Sequence, residues 1–257
     1  MSKPLILVTN DDGIFAPGIK ALVSVARKYG EVVVVAPDSA QSGQGHAITL
    51  TAPLRLNKVD AFEGIEAYEC SGTPVDCVKL AKSVVLRNRQ IDLCVSGINH
   101  GSNASINIIY SGTMSAAMEA SLEGIPSIGF SYLDYAHDAD FTTPKHFTDL
   151  IISHAIQHSL GDALLLNVNI PKISVEEVKG IKVCKQADGN WTEEFVESKD
   201  PRGETYYWMT GEFIWENKDE DSDIWALNNG YVSVVPSMHD LTDHKALSSI
   251  KIMESVS

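Results

Sequence analysis

Short blocks of consecutive apolar residues alternate with stretches in which apolar positions recur every three or four residues. Residues 5–8 form the first block, which ends abruptly at Thr9-Asn10-Asp11-Asp12-Gly13. Residues 16–28 then place Ile19, Leu22, Val23, Val25 and Ala26 on one helical side, with Gly30 as the stop signal. A second buried block, residues 32–35, closes at Ala36-Pro37-Asp38; a polar, glycine-containing loop follows over 39–46, and 48–56 reads as extended. Thr73-Pro74 opens the next helix as N-cap and first-turn proline, and that helix runs to about Leu86. Residues 91–95 form a strand followed by a long loop over 96–111, and 113–122 is a helix of small residues stopped by Gly124. A strand at 126–130, a helix at 147–160 and a strand at 164–168 complete the pattern. All-apolar strands alternating with amphipathic helices predict an α/β fold, a mostly parallel, doubly wound sheet with helices on both faces.

Beyond residue 171 the pattern changes. Strands are expected at 180–185, 206–210 and 230–235, and all four tryptophans (Trp191, Trp208, Trp215 and Trp225) fall here. The expected organisation is a single domain over 1–257, with a core at 1–171 and a β-rich arm at 172–257. The formal net charge is −14. Twelve acidic and three basic side chains between Asp188 and Asp223 supply −9 of it. Such a surface disfavours a binder of duplex nucleic acid, although a bound cation can reverse the field locally for a small phosphorylated substrate. The four cysteines, Cys70, Cys77, Cys94 and Cys184, form no C-x-x-C pair, and Cys77 and Cys94 sit in apolar runs, so buried free thiols are expected. Met1-Ser2-Lys3-Pro4 leads straight into a strand without a signal-peptide layout, and no apolar run reaches the ~18 residues of a membrane span. The expected location is a reducing cytoplasm, without a membrane partner.

In an open α/β sheet, ligands sit outside the carboxyl ends of the strands. Four polar segments follow predicted strands at that edge: residues 10–13, 37–46, 71–73 and 96–113. Asp11 and Asp12 are adjacent carboxylates that repel one another unless a cation or protons intervene, although Asp-Asp-Gly is also ordinary turn chemistry. Carboxylates joined by neutral oxygens, with Ser39, Ser42 and Asn99 at hand, suit Mg²⁺ or Mn²⁺ better than zinc. Tyr110-Ser111-Gly112-Thr113 leads directly into a helix, so its hydroxyls and free N–H groups form either an anion cradle or a simple N-cap. Thr73-Pro74 reads as the simple cap. His46, after a Gly-x-Gly turn, reads as a solvated loop residue rather than a catalytic one. P-loop, G-x-S-x-G and H-E-x-x-H motifs are absent, and the first strand ends without G-x-G-x-x-G.

Taken together these segments resemble the survival protein E (SurE) family of nucleotidases. The resemblance rests on residues 6–13, on Val35-Ala36-Pro37-Asp38 through Ser42 to Gly45-His46, and on Ser71-Gly72-Thr73-Pro74. It continues with Ser96-Gly97-Ile98-Asn99-His100-Gly101, Tyr110-Ser111-Gly112-Thr113, Gly230-Tyr231-Val232-Ser233 and Asp240-Leu241-Thr242. It implies a Rossmann-like domain holding one divalent metal ion per subunit on Asp11, Asp12, Ser42 and Asn99. It further implies hydrolysis of nucleoside 5′- or 3′-monophosphates, and an arm exchanged within a homodimer or homotetramer. Residues 104–109 (Ala-Ser-Ile-Asn-Ile-Ile) depart from the acidic or glycine-rich stretch that the family often carries there.

On this reading a cation assists in-line attack of water on phosphorus, Asp11 or Asp12 orients that water, and Asn10, Asn103, Ser111, Gly112 and Thr113 hold the other phosphate oxygens. A covalent aspartyl-phosphate is disfavoured, because the enzymes that form one usually separate their two aspartates by a residue. A metal-dependent nucleotidyl- or glycosyl-transferase and a non-catalytic nucleotide-binding module are the alternatives.

Overall fold

A computed structural model describes residues 3–136 and 138–256; Met1 and Ser2, with which the leaderless start was read, lie outside it. The apolar blocks become strands because each is buried on both faces. β1 (Leu5–Thr9) is wholly buried, and β2 (Glu31–Pro37) is buried after its first residue. Alternate side chains of β1 enter opposite layers: Ile6 and Val8 join one core cluster, Leu5 and Leu7 the other. The first layer is closed by α1 (Pro17–Ala26) through Ile19 and Leu22, and by α4 (Thr142–His158) through Phe147 and Ile151. The second is closed by α2 (Pro74–Leu80) through Cys77 and Val78, and by α3 (Gly112–Leu122) through Ala116 and Ala120.

The remaining strands are β3 (Leu56–Lys58), β4 (Glu66–Cys70), β5 (Leu93–His100), β6 (Ser127–Tyr132), β7 (Leu165–Ile170), β8 (Ile181–Val183), β9 (Asn190–Lys199), β10 (Thr205–Ile214) and β11 (Val232–Ser237), with a short helix α5 (Asp223–Asn228) before the last. Nine of the eleven strands among the described residues form one sheet in the order β3-β4-β2-β1-β5-β6-β7-β11-β8. The β4-β2-β1-β5-β6-β7 run is parallel throughout, as a doubly wound sheet requires. β3 and β11 are antiparallel to their neighbours β4 and β7, while β8 is parallel to β11.

The structure departs from the sequence expectations in three places. β5 continues through Asn99 and His100 where a loop was expected, because after an irregularity at 97–98 both residues pair with Ser131 and Tyr132 of β6. The segment 172–257 divides: β8, α5 and β11 pack onto the main sheet, and only the β9–β10 hairpin stands apart as a sheet of its own. β9 was not expected, since its acidic sequence has little apolar content; it forms by pairing with β10 along its whole length rather than by burial. Trp225 accordingly belongs to the body of the fold, stacked on Tyr231 with ring centroids 6.3 Å apart, whereas Trp208 on the hairpin is 63 % exposed. All four cysteines are free and buried. Among the described residues no helix is long and apolar enough to cross a membrane.

Candidate active site

The carboxyl ends of β1 and β5 lie side by side, with Thr9 opposite Ser96 in the ladder. Asp11 is buried directly beyond β1, and Asp12 beside it is half-buried. The turn carrying them is held from three sides. Asn10 Nδ2 donates to the carbonyl of Gly13 at 2.9 Å, the Gln41 N–H to the carbonyl of Asp11 at 2.8 Å, and the Ile14 N–H to the carbonyl of Pro37 at 2.9 Å. Loop 39–46 therefore folds back over the aspartates. This brings the exposed Ser42, next to Gln41, into their neighbourhood.

The N-terminus of α3 is aimed at Asp11. The Thr113 hydroxyl donates to Asp11 Oδ1, and a methyl group built on Gly112 would lie 2.7 Å from Asp11 Cβ and 2.9 Å from Asp11 Oδ2. Gly112 is therefore glycine because the helix end and the carboxylate touch. Burial pushes the Asp11 carboxyl up to about 6, helped by the charge of Asp12 and opposed by the hydrogen bonds from Thr113. Burial also raises Asp12, against the His100 N–H that approaches its Oδ2 at 3.4 Å. Asn99 turns its amide nitrogen inward to the carbonyls of Gly101 (2.9 Å) and His100 (3.2 Å), so Oδ1 is its remaining donor atom.

The expected phosphate ligands also have partners within the protein. Ser111 Oγ caps α3, accepting from the Met114 N–H at 3.0 Å, and Thr113 serves Asp11. Asn10 and Asn103 are buried. Asn103 Nδ2 donates to Ser131 Oγ at 2.8 Å, its N–H to Asn169 Oδ1 at 2.8 Å, and its carbonyl accepts from Asn167 Nδ2 at 2.8 Å. Both asparagines are thus held in place beside the cradle by bonds within the protein. Ser131, Asn167 and Asn169 were missed. The signal available was a pair of asparagines two residues apart, hence on one face, in the otherwise apolar strand β7. Thr73 is the simple cap expected, reciprocally bonded with Asp76. His46 lies on the flank of α3, its Nε2 2.9 Å from Glu119 Oε2. Although burial acts the other way, Lys79 and His46 hold the Glu119 carboxyl below its usual range.

The donor set can be tested for a hard cation. The side chains of Asp11, Asp12 and Thr113 offer oxygen, the His100 imidazole is the nitrogen group beside Asp12, and Asn10 Oδ1, one residue before Asp11, is a buried acceptor without a hydrogen-bond partner. No cluster of three or more His, Cys, Asp or Glu side chains occurs among the described residues. Two carboxylates with neutral oxygens fit Mg²⁺ or Mn²⁺ better than zinc, which prefers several nitrogen or sulfur ligands. Because Ser111 caps α3, Ser111→Ala should lower stability by about 1 kcal/mol, measurable by denaturant titration.

The family model for survival protein SurE matches residues 6–193. The chain is 58 % identical over 251 residues to the 5′-nucleotidase SurE of Flavobacterium psychrophilum, covering 97 % of each. It is 59 % identical over 252 residues to that of Cytophaga hutchinsonii, covering 97 % of this chain and 96 % of the relative. The crystal structure of the SurE protein from Aquifex aeolicus superposes with a TM-score of 0.84 at 42 % identity, covering 98 % of this chain and all of that one. With site geometry, family model and full-length relatives in agreement, this chain belongs to the SurE family.

Proposed function

We propose that this protein is a divalent-metal-dependent phosphatase that hydrolyses nucleoside 5′-monophosphates to nucleoside and phosphate. The observation that carries this reading is the contact between the buried Asp11 carboxylate and the N-terminal turn of α3, with Asp12 alongside. The 5′-nucleotidase names of the similar proteins support the same substrate class.

Asp11, Asp12, Ser42 and Asn99 would hold one Mg²⁺ or Mn²⁺ ion, which supplies Lewis-acid chemistry at the phosphoryl group. The protein's own groups do the rest. Thr113 fixes the rotamer of Asp11 by hydrogen bonding to Oδ1, so that Oδ2, beside Gly112, faces the ligand. The Gly112 N–H, at the positive end of an eleven-residue helix, and the Ser111 hydroxyl proton are free to meet phosphate oxygens. Asp12, less buried than Asp11, is placed to orient an attacking water. Asn10 and Asn103 keep this constellation rigid through the bonds described above.

Equal amounts of nucleoside and inorganic phosphate should appear from a panel of nucleoside 5′-monophosphates with Mn²⁺ present. Turnover that required an added acceptor alcohol would favour a transferase, and binding without turnover would leave a nucleotide-binding module. Activity should fall by at least ~10²-fold after chelation and dialysis, and Mg²⁺ or Mn²⁺ should restore it better than zinc does.

The chain acts as one domain, with the hairpin as an oligomerisation arm forming a homodimer or homotetramer. Phe195, Tyr207 and Trp208 are exposed on this ribbon, an aromatic-rich surface of the kind found at interface cores. Light scattering should give a multiple of 27.9 kDa, and a mass of one chain at micromolar concentration would refute the arm. The four buried thiols suit a reducing cytoplasm, and the −14 charge disfavours duplex nucleic acid as a partner.

A further inference from the structure

Between the root of the hairpin and the segment leading into α3 lies a cleft of about 500 Å³ lined by Asn107, Tyr110, Trp191, Glu193, Met209 and Gly211. Its position relative to the phosphate cradle follows from the chain itself. Tyr110 precedes Ser111 directly, and at ~3.8 Å between consecutive Cα atoms it lies no more than about 7.6 Å from Gly112. Gly112 in turn touches Asp11. The Tyr110 wall of the cleft is therefore one residue removed from the turn that meets Asp11.

The lining suits a flat ring. Strand register pairs Trp191 with Phe213, Glu193 with Gly211 and Phe195 with Met209, so these six residues share one hairpin face. Between Phe213 and Met209, Gly211 carries no side chain because one would run into the Thr192 carbonyl of the paired strand, and this bare position forms a slot in the row. Trp191 stands edge-on to Phe213, 5.6 Å between centroids, and its Nε1 donates to Asn107 Oδ1 at 2.8 Å. That bond spans 84 residues and fixes the indole across the cleft.

The two walls are locked together a second time beneath the cleft. Ser105 Oγ donates to the carbonyls of Ala187 (2.8 Å) and Gly189 (3.3 Å). The fully buried Asp223 accepts from the N–H groups of Ser105 (2.8 Å) and Ala187 (2.9 Å). Yet Trp191 and Tyr110 stay 42 % and 49 % exposed, so this anchoring holds aromatic surface open rather than burying it in the core.

We propose that this cleft is the nucleobase subsite, in which the base lies against Trp191 and Tyr110 over the Gly211 slot while its phosphate sits at Asp11 and Gly112. The proposal rests on the phosphatase reading given above. It makes the hairpin root a specificity element, distinct from the distal ribbon that forms the arm. It also places the family-divergent segment 104–109, through Asn107, in the wall that meets the base.

The test compares adenosine 5′-monophosphate with ribose 5-phosphate, which carries the same phosphate and sugar without a base. Stacking of a base on an aromatic side chain changes affinity by roughly fivefold to a hundredfold on alanine substitution. Trp191→Ala should therefore lower the ratio of the two kcat/KM values by about tenfold or more, mainly through KM for the nucleotide. Trp191→Phe, which keeps a ring, should hold the ratio within about threefold. In the unaltered protein adenosine should inhibit competitively at concentrations where ribose is inert, a measurement independent of how well the variants fold. An unchanged ratio in Trp191→Ala, equal losses on both substrates, or adenosine no better than ribose would overturn the subsite while leaving the phosphatase intact. Failure of the unaltered protein to release phosphate from either substrate would instead overturn the phosphatase reading and the subsite with it.

Discussion

Replacing Asp11 by asparagine is expected to lower phosphate release from a nucleoside 5′-monophosphate by about a thousandfold, while leaving the metal-free protein at least as stable as its parent near neutral pH. The loss of activity follows from removing one of only two carboxylates at the site. Several kcal/mol of transition-state stabilisation depend on the cation they hold, and about 4 kcal/mol is a thousandfold. The stability result follows from burial. In the folded chain the Asp11 carboxyl keeps its proton up to about 6, against an ordinary value of 3.8. The unfolded chain therefore ionises first, and the stability of the metal-free protein should fall as pH rises from about 4 to about 6. That difference of roughly two pK units corresponds to about 3 kcal/mol. Asparagine still accepts the Thr113 hydrogen bond but carries no charge, so the fall should be absent in the variant. Thermal melts of both metal-free proteins between about pH 4 and pH 7.5 check this. A variant that melts well below its parent across the range would return Asp11 to the status of a structural turn residue.

Gly112→Val is expected to be the most damaging substitution in the cradle, lowering kcat/KM by about a hundredfold or more. The cause is close approach. A side chain at this position starts 2.7 Å from Asp11 Cβ, so either the carboxylate or the first turn of α3 must move. Both hydrogen bonding from Thr113 and alignment of the Gly112 N–H depend on that contact, and the loss of one preorganised donor alone typically costs ~10²-fold. Stability should also fall, by roughly 1–3 kcal/mol, as overpacking of a tight contact does. Metal affinity should weaken too, because the residue displaced is a proposed ligand. Kinetics within about threefold of the parent, with a melting temperature within about a degree, would show that α3 and Asp11 are not mechanically joined.

The sheet, its carboxyl edge and the paired aspartates were legible because each depends on a local signal: an all-apolar block cut off by a polar turn, or a proline or glycine at a helix boundary. What was not legible depended on partners distant in sequence. Nothing around Thr113 says that its hydroxyl serves Asp11, 102 residues away, rather than a ligand. Asn99 and His100 read as loop residues because strand pairing with Ser131 and Tyr132 is a property of two segments at once. The acidic β9 offers no burial pattern of its own and exists only as half of a ribbon. Nothing local to Asn103 announces that its side-chain amide bonds Ser131 or that Asn167 and Asn169 bond its backbone. For the same reason the cap role of Ser111 and the contacts of Thr113 and Gly112 with Asp11 emerge only from the fold, where Ser111 accepts from Met114 and the other two residues meet a carboxylate 102 and 101 positions away.

The account stands on Asp11 and Asp12 acting together through a divalent cation, and one measurement addresses that most directly. The protein and its Asp12→Asn variant are stripped with chelator, dialysed, and assayed for phosphate release from adenosine 5′-monophosphate as Mn²⁺ is added back. The unaltered protein should be silent without metal and regain turnover with added Mn²⁺, whereas Asp12→Asn should stay at least ~10²-fold slower at every Mn²⁺ concentration. Full turnover by the stripped protein, or recovery of the variant to the rate of its parent, would contradict it.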